Sequence, residues 1–268
     1  MEKTIRLIPR EVREADWPEA RFLSDDEQAR YEEAVKTFNS ERARKTLTVS
    51  RNGSNLFKVI LLNQMGILTL TLPELDNILE QDSGFLKGFY ADGPEVILRS
   101  ENDTYDPNDP LARCLSKAIK IRNKQFPYII KGLKLVEDKE FSYGLGLYPA
   151  DNFDILKAQD FVHSNNQRKF SRINPDYSIE FDDKGTRTLY TKQDGVSRLC
   201  LDRGSYLLYG CSYLAGSNSV GRVVVKSAEG ASQKALEDKL RQLQIVRDKE
   251  IASLNTRYSQ AEAVLRGK

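Results

Sequence analysis

The apolar and polar positions of the first fifty residues predict a strand, a surface helix and a second strand. Residues 4–8 (TIRLI) have the composition of a short strand. Ser24 and Glu27 have the spacing of a capping box, in which each side chain accepts a hydrogen bond from the backbone N–H of the other residue. The polar stretch 25–45 that follows is predicted to be one helix, and 45–51 (KTLTVSR) is predicted to be a strand.

The most hydrophobic run of the chain is residues 54–73. It predicts a buried helix and a strand broken at a glycine, but periodicity does not decide between helix and strand for the first half. Thr71 and Glu74 form a second capping-box signal, with a proline near the first helical position, which predicts a helix over 72–81. Residues 95–100 (EVILRS) are predicted to be a strand.

The middle of the chain changes from helix-like to strand-like patterns. A polar loop over 100–110 leads into a basic amphipathic helix predicted at 110–124. Residues 182–185 (DDKG) predict a hairpin turn between the last two of the strands that follow. The predicted strands are 128–137, 170–173, 177–181 and 186–192. Residues 128–226 are therefore rich in strands and turns, so the predicted fold class is α+β with a strand-rich C-terminal half.

The pattern changes again after Lys226. Residues 231–266 contain no Gly or Pro and carry a mainly three- and four-spaced apolar stripe, which predicts a long amphipathic helix. The predicted domain organisation is therefore an N-terminal strand and helix at 1–50, a main domain at 51–226 and the C-terminal helix at 227–268. A helix of this length is expected to pack along the body of the protein or against a partner helix.

Composition and charge argue against several classes of partner, although a balanced total leaves room for a local basic face. The 41 Lys and Arg residues nearly balance the 39 Asp and Glu residues, so there is no electrostatic reason to expect nucleic-acid binding or attraction to an anionic membrane. No apolar run approaches the roughly 20 residues that span a bilayer, and the start of the chain lacks the apolar region of a signal peptide. We therefore expect no membrane insertion and a cytoplasmic or virion-associated protein. Cys114, Cys200 and Cys211 are expected to be thiols, although a bridge between Cys200 and Cys211 is conceivable.

A search for catalytic and metal-binding motifs favours a binding protein over an enzyme. His163 is the only histidine and lies in a polar stretch, so no catalytic triad or zinc site is indicated. Gly144 and Gly146 lack the third glycine of a dinucleotide-binding fingerprint, and no phosphate-binding loop of the P-loop type is present. The acidic stretch 103–109 lacks the central Gly and distal Glu of an EF-hand loop and is expected to be solvated. We therefore predict no catalytic residue, no cofactor and no metal.

Residues 194–225 have an unusual composition, because they contain no Lys, Glu, Gln, Met or Trp. Framework positions such as Arg198, Leu199 and Leu201 alternate in several stretches with positions whose chemistry has no common theme, as the two faces of a strand do. Leu208 and Tyr209 are both included among the latter, since the framework spacing allows a shift of one residue there. The candidate ligand-binding positions are Cys200, Asp202, Gly204, Tyr206, Leu208, Tyr209, Gly210, Cys211, Tyr213, Gly216, Asn218 and Val220.

This segment resembles the variable proteins of diversity-generating retroelements, especially the archaeal and viral-type members. The resemblance rests on an Arg-Leu-x-Leu-x-Arg framework at 198–203 and a Ser-x-Ser-x-Gly-Arg-Val-Val ending at 217–224. In that family a template repeat is copied with errors at its adenines, and Asn codons change to residues that exclude the five absent types. The resemblance places template asparagines at Gly216, Asn218 and Val220, within a variable segment at 198–223.

What the resemblance implies is a C-type-lectin-like fold that displays variable side chains on an exposed face. The implied function is non-enzymatic binding of a variable ligand, either a protein or another surface molecule. Tyrosines suit such a site, because they offer a large amphipathic contact area and lose little rotamer entropy. The alternative is a structural or assembly protein of a phage or cell surface that forms homo-oligomers or attaches to a particle through its C-terminal helix.

Overall fold

The computed structural model describes residues 20–50, 53–119, 126–202, 207–226 and residue 247. In residues 207–211 it describes the backbone, but not the side chains of Leu207, Leu208, Tyr209 and Cys211. The strand predicted at 4–8 and the long helix predicted at 231–266 lie outside the described residues, apart from Arg247.

The described part of the chain is a mixed α+β protein with five α-helices and eleven strands. The helices are α1 (Asp25–Lys36), α2 (Glu41–Leu47), α3 (Leu56–Gln64), α4 (Leu72–Gln81) and α5 (Asp109–Ala118). The strands are β1 (Ala20–Phe22), β2 (Tyr90–Leu98), β3 (Tyr128–Glu137), β4 (Leu145–Lys157), β5 (Lys169–Ile173), β6 (Ile179–Phe181), β7 (Arg187–Tyr190), β8 (Val196–Asp202), β9 (Leu207–Cys211), β10 (Gly221–Arg222) and β11 (Val224–Lys226). The α+β class predicted from the sequence is confirmed.

The predicted capping boxes mark the starts of α1 and α4. At α1, the Ser24 hydroxyl accepts from the Glu27 N–H at 3.3 Å, and the Glu27 carboxylate accepts from the Ser24 N–H at 3.0 Å. At α4, the Glu74 carboxylate accepts from the Thr71 N–H at 2.8 Å. Because these bonds satisfy N–H groups that have no partner inside the helix, the residues that make them define the helix start.

The single helix predicted over 25–45 is wrong, because the chain forms two helices there. α1 ends at Lys36, and the Ser40 side chain caps α2 by accepting from the Ala43 N–H. The strand predicted at 45–51 is also wrong, since its first residues belong to α2 and residues 48–50 are not in a strand. The Ser40 cap stabilises a new helix start where the sequence pattern alone suggested continuity.

The structure resolves the ambiguous run at 54–73. Its first half is the helix α3, in which residues 56–62 are all buried. A helix buried on every side has no polar face, so its sequence shows no helical periodicity. Its second half is not a strand: it forms an isolated antiparallel bridge between Thr69 and Val225, and its last two residues begin α4.

Two sheets are present among the described residues. The larger has the strand order β4-β3-β2-β8-β9-β7-β5-β6, and β10 pairs with β2 in parallel. The smaller consists of β1 and β11, whose antiparallel pairing joins Ala20 to Lys226 and Phe22 to Val224. This pairing connects the two ends of the described domain. Strands β8 and β9 are interior strands of the larger sheet.

The hairpin predicted between the strands at 177–181 and 186–192 is wrong. The turn itself forms, with the Gly185 N–H donating to the Asp182 carbonyl at 2.8 Å. However, β6 and β7 do not pair with each other, because β5 lies between them and pairs with both. The local turn signal was correct, but it carried no information about which strand lies beside which.

Hydrophobic clusters cover both faces of the larger sheet. In β2, Val96 and Leu98 belong to the cluster with α1, α2, α3 and α5, whereas Ile97 belongs to the cluster with α4 and β5. This division follows from the two-residue period of a strand, which directs neighbouring side chains to opposite faces. No helix in the described part of the chain is both long and apolar enough to cross a membrane.

Candidate functional site

The candidate site is built on β8, a central strand of the larger sheet. Leu199 and Leu201 are buried in the cluster that contains α4. Arg198, Cys200 and Asp202 are directed to the opposite face, because they alternate with these leucines along the strand. The alternation seen in the sequence therefore separates a core face of β8 from a second face that carries polar groups.

A buried ion pair forms part of this second face. The Arg198 Nη1 donates to the Asp92 Oδ1 at 2.9 Å, and both side chains are buried. Burial raises the pKa of Asp92, although the Arg198 guanidinium opposes this rise. Asp92 reaches Arg198 because β2 pairs with β8 and contains a bulge between residues 92 and 96. Sequence analysis placed Arg198 in the framework, and the structure gives it a buried partner.

The loop between β9 and β10 passes over the polar face of β8. Arg198 Nη1 donates to the Gly216 carbonyl at 2.7 Å, which connects the loop to the sheet. The loop also has internal bonds, since the Gly216 N–H donates to the Tyr213 carbonyl and the Val220 N–H donates to the Asn218 side chain. Tyr213 and Val220 are 54% and 42% exposed, which is high for large apolar side chains.

Strand β8 and this loop border an open cavity of about 390 Å³, which we call the β8 cavity. Its volume lies in the range of small-ligand sites, and its wall combines a guanidinium, a carboxyl, a thiol, phenols and an amide. The described lining residues are Tyr90, Arg198, Cys200, Asp202, Tyr213, Gly216, Ser217 and Asn218.

Five of the twelve sequence-predicted positions therefore meet at one cavity: Cys200, Asp202, Tyr213, Gly216 and Asn218. Val220 is exposed at the end of the same loop, and Gly210 is buried in β9. The structure describes only the backbone of Leu208, Tyr209 and Cys211, all of which lie in β9. Gly204 and Tyr206 lie outside the described residues.

The two buried glycines among the predicted positions have little space for a side chain. A Cβ atom on Gly210 would lie 2.7 Å from the Arg99 Nη2. The Arg99 guanidinium is buried and donates to Thr191 and Ser197, so it is not easily displaced. A Cβ atom on Gly216 would lie 2.8 Å from the Tyr213 ring. Because Tyr213 is exposed, its ring has more freedom to move than Arg99 has.

Cys200 lies on the polar face of β8 but is only 5% exposed. In the strand register it faces Tyr209 across the β8–β9 pair, whereas Cys211 faces Arg198. Cys114 and Cys200 are thiols rather than halves of a disulfide. The buried thiol therefore contributes to the wall of the β8 cavity and is not one of its exposed groups.

Sequence analysis did not single out several residues of this site. Tyr90 lines the β8 cavity from β2, and its hydroxyl donates to the Ser54 carbonyl at 3.0 Å. Asp92 lies behind the cavity as the partner of Arg198. Ser217 was assigned to the Ser-x-Ser-x-Gly-Arg-Val-Val ending and not to the candidate positions, but it lines the cavity. Nothing in the sequence connects residues 90 and 92 to residues 198–218, because strand pairing brings them together.

The structure also shows where His163 and the acidic stretch 103–109 lie. His163 is exposed at the start of a short 3₁₀ helix, His163–Asn165. The expectation that 103–109 is a solvated loop is wrong in part, since Asp103 and Asn108 are buried. The Asp103 carboxylate accepts from the Val196 N–H, and the Asn108 amide donates to the Ser212 carbonyl. These bonds hold the loop against the start of β8 and against the residue that follows β9. Among the described residues no group of three or more His, Cys, Asp or Glu side chains could hold a metal ion.

Comparison with known proteins returned no matching family model, no matching curated protein and no matching solved structure. The described helices and strands define a mixed α+β protein.

Proposed function

We propose that this protein is a non-enzymatic ligand-binding protein whose binding surface is the β8 cavity and the loop that covers it. The observation that carries the proposal is the convergence of Cys200, Asp202, Tyr213, Gly216 and Asn218 at one cavity. These positions were selected from the sequence because they interrupt a regular framework.

The side chains of β8 that pack in the core are different from those that line the cavity, which supports this function. Leu199 and Leu201 pack in the core, so they stabilise the strand whatever residues lie between them. The Arg198–Asp92 ion pair supports the cavity from behind and bonds to the covering loop. Exchange of Asp202 or Asn218 would then change the chemistry of the cavity without removing a core contact. Such an arrangement is a general way to vary a binding site on a constant scaffold.

The finer part of the proposal is that the protein is a variable protein of a diversity-generating retroelement with a C-type-lectin-like fold. The absence of five residue types from 194–225 and the Gly-Arg-Val-Val ending support it. The paired chain ends of the described domain and its mixed α+β layers are compatible with it. The exposed Tyr213 suits a protein-binding surface, because tyrosine is enriched in adaptable binding sites.

Genome and population sequences test the retroelement part directly. We expect sister genes to differ at Cys200, Asp202, Tyr213 and Asn218 while Leu201 is retained. We also expect a reverse-transcriptase gene and a near-copy of the segment close to this gene. If neither neighbour is present and the variation is spread evenly over the domain, this part of the proposal is wrong.

A display library tests the binding function independently of any natural ligand. One library randomises Cys200, Asp202, Tyr213 and Asn218 on the otherwise unchanged full chain. A matched control library randomises four exposed positions that do not line the β8 cavity: Lys139, Asp154, Lys169 and Lys184. Both are selected against immobilised lysozyme as an arbitrary folded probe. We expect specific binders from the first library only, and equal success or equal failure of the two libraries would contradict the proposal.

The proposed attachment or oligomerisation through the C-terminal helix concerns residues 227–268. These lie outside the described residues apart from Arg247, so this role stays a prediction. Size measurement of the full chain and of a chain ending at Lys226 tests it. A reduction in the number of subunits on truncation would support an assembly role, and an unchanged monomer would contradict it.

A further inference from the structure

A second cleft lies beside the β8 cavity, and Tyr213 lines both. This cleft has a volume of about 560 Å³ and lies between α2 with the residues after it and the loop between β9 and β10. We call it the α2 cleft, and its defining residues are Arg42, Lys45, Thr48, Tyr213, Ser217 and Ser219. Ser217 and Asn218 also line both spaces, so a ligand seated over Tyr213 could contact the two at once.

The described lining of the α2 cleft carries positively charged side chains but no negatively charged ones. Arg42 and Lys45 lie on its α2 side, and both are exposed. Neither forms an ion pair with any described residue. The rest of the described lining is rich in hydroxyl groups and includes no Asp or Glu. Glu41 and Lys139 line the adjoining surface together with Arg42 and Lys45, so three cations there face one carboxylate. The local potential is therefore positive, although the chain as a whole is nearly neutral.

The cations are carried by a firmly held helix. The Glu137 carboxylate accepts from the N–H groups of Asn39 and Ser40 at 2.9 and 2.6 Å, which connects the start of α2 to the end of β3. At the other end of α2, the Thr46 hydroxyl donates to the Tyr143 carbonyl at 2.9 Å. A cationic surface on a rigid element loses little backbone entropy when it binds an anionic ligand.

We propose that the α2 cleft binds carboxylate groups of an acidic polypeptide segment and so provides a constant contact beside the variable β8 cavity. The role beside a variable site rests on the proposed function, but the binding of carboxylates does not. A carboxylate suits this cleft because Arg42 offers a planar fork of donors, while Lys45 and the serine hydroxyls offer single donors. Nucleic acid is less suited, because high affinity for it requires a longer row of cations than this cleft contains.

Titration with a defined acidic peptide tests the proposal on the full chain. The probe is acetylated, amidated hexaglutamate, with hexalysine as the charge-reversed control, and backbone amide NMR signals are the readout. We expect shifts at α2 and at residues 213–219, and we expect them to disappear at high salt because exposed charge pairs are screened. The Arg42→Ala/Lys45→Ala variant is expected to bind about fivefold more weakly. The matched variant Lys169→Ala/Lys184→Ala, which removes two exposed lysines outside the cleft, is expected to bind as the wild type does.

Three outcomes would overturn the proposal. The first is equal binding by the wild type and the Arg42→Ala/Lys45→Ala variant. The second is an equal response to hexalysine. The third is tighter binding of a twelve-nucleotide single-stranded DNA to the same residues, which would assign the cleft to nucleic acid. If hexaglutamate does not bind but the β8 cavity library yields binders, only the proposal for the α2 cleft is refuted. If hexaglutamate binds but the library yields no binders, only the proposal for the variable β8 cavity is refuted.

Discussion

Replacement of Asp92 by asparagine is expected to destabilise the domain strongly, because it leaves a buried guanidinium without its counter-charge. The Asp92 side chain is fully buried in the ion pair, and that of Arg198 is nearly so, with 2.9 Å between the bonded atoms. Removing one partner of a buried pair costs about 3–5 kcal/mol. That is a large part of the roughly 5–15 kcal/mol by which a native domain is stable.

The magnitude can be checked against an exposed pair in the same protein. Lys131 and Asp154 approach to 3.4 Å, and the Asp154 side chain is 58% exposed. Such exposed pairs contribute about 1 kcal/mol or less. Urea unfolding followed by circular dichroism is expected to show a loss of about 3–5 kcal/mol for Asp92→Asn and a small change for Asp154→Asn.

A second readout reports on the covering loop. Because Arg198 also donates to the Gly216 carbonyl, Asp92→Asn should increase amide hydrogen exchange in residues 213–220 more than in β3. The double variant Asp92→Asn/Arg198→Met should recover part of the lost stability, since it no longer buries an unpaired charge. The reasoning would be refuted if Asp92→Asn cost no more than Asp154→Asn, or if the double variant were no more stable than Asp92→Asn alone.

Further expected outcomes concern a buried carboxyl group, a crowded glycine and the core face of β8. Burial raises the pKa of Glu95 from 4.5 to about 7, so the native state retains a proton there that the unfolded state loses. This contribution to stability is present below pH 4.5 and falls by about 3 kcal/mol as the pH rises through 7. Urea unfolding at pH 5 and pH 8 tests this, because the free energy of unfolding of Glu95→Gln should rise relative to that of the wild type between the two pH values. The same difference between variant and wild type at both pH values would contradict this. Gly210→Ala should lower the free energy of unfolding by about 1–3 kcal/mol, because the added methyl group would contact Arg99. The control Asn218→Ala, at an exposed position, should leave the melting temperature nearly unchanged. Equal effects of the two substitutions would show that position 210 tolerates side chains. Leu199→Ala should cost about 2–5 kcal/mol in urea unfolding, and a loss below 1 kcal/mol would show that this face of β8 is not core.

Local signals in the sequence determined the elements that depend on neighbouring residues. The Ser24–Glu27 and Thr71–Glu74 spacings located the starts of α1 and α4, because a capping bond joins residues only three apart. The strand predicted at 128–137 has the same bounds as β3. The alternation around Leu199 and Leu201 separated the two faces of β8, since the period of a strand is a property of its backbone.

Pairing between distant strands decided the rest, and no local pattern encodes it. β5 lies between β6 and β7, so a correctly predicted turn did not produce the expected hairpin. Tyr90 and Asp92 reach the β8 cavity only because β2 pairs with β8. Gly210 was grouped with the variable positions, yet the position of Arg99 leaves it almost no space for a side chain. The sequence by itself thus determined which positions depart from the framework, and the tertiary structure decided which of them share a cavity and which have room to change.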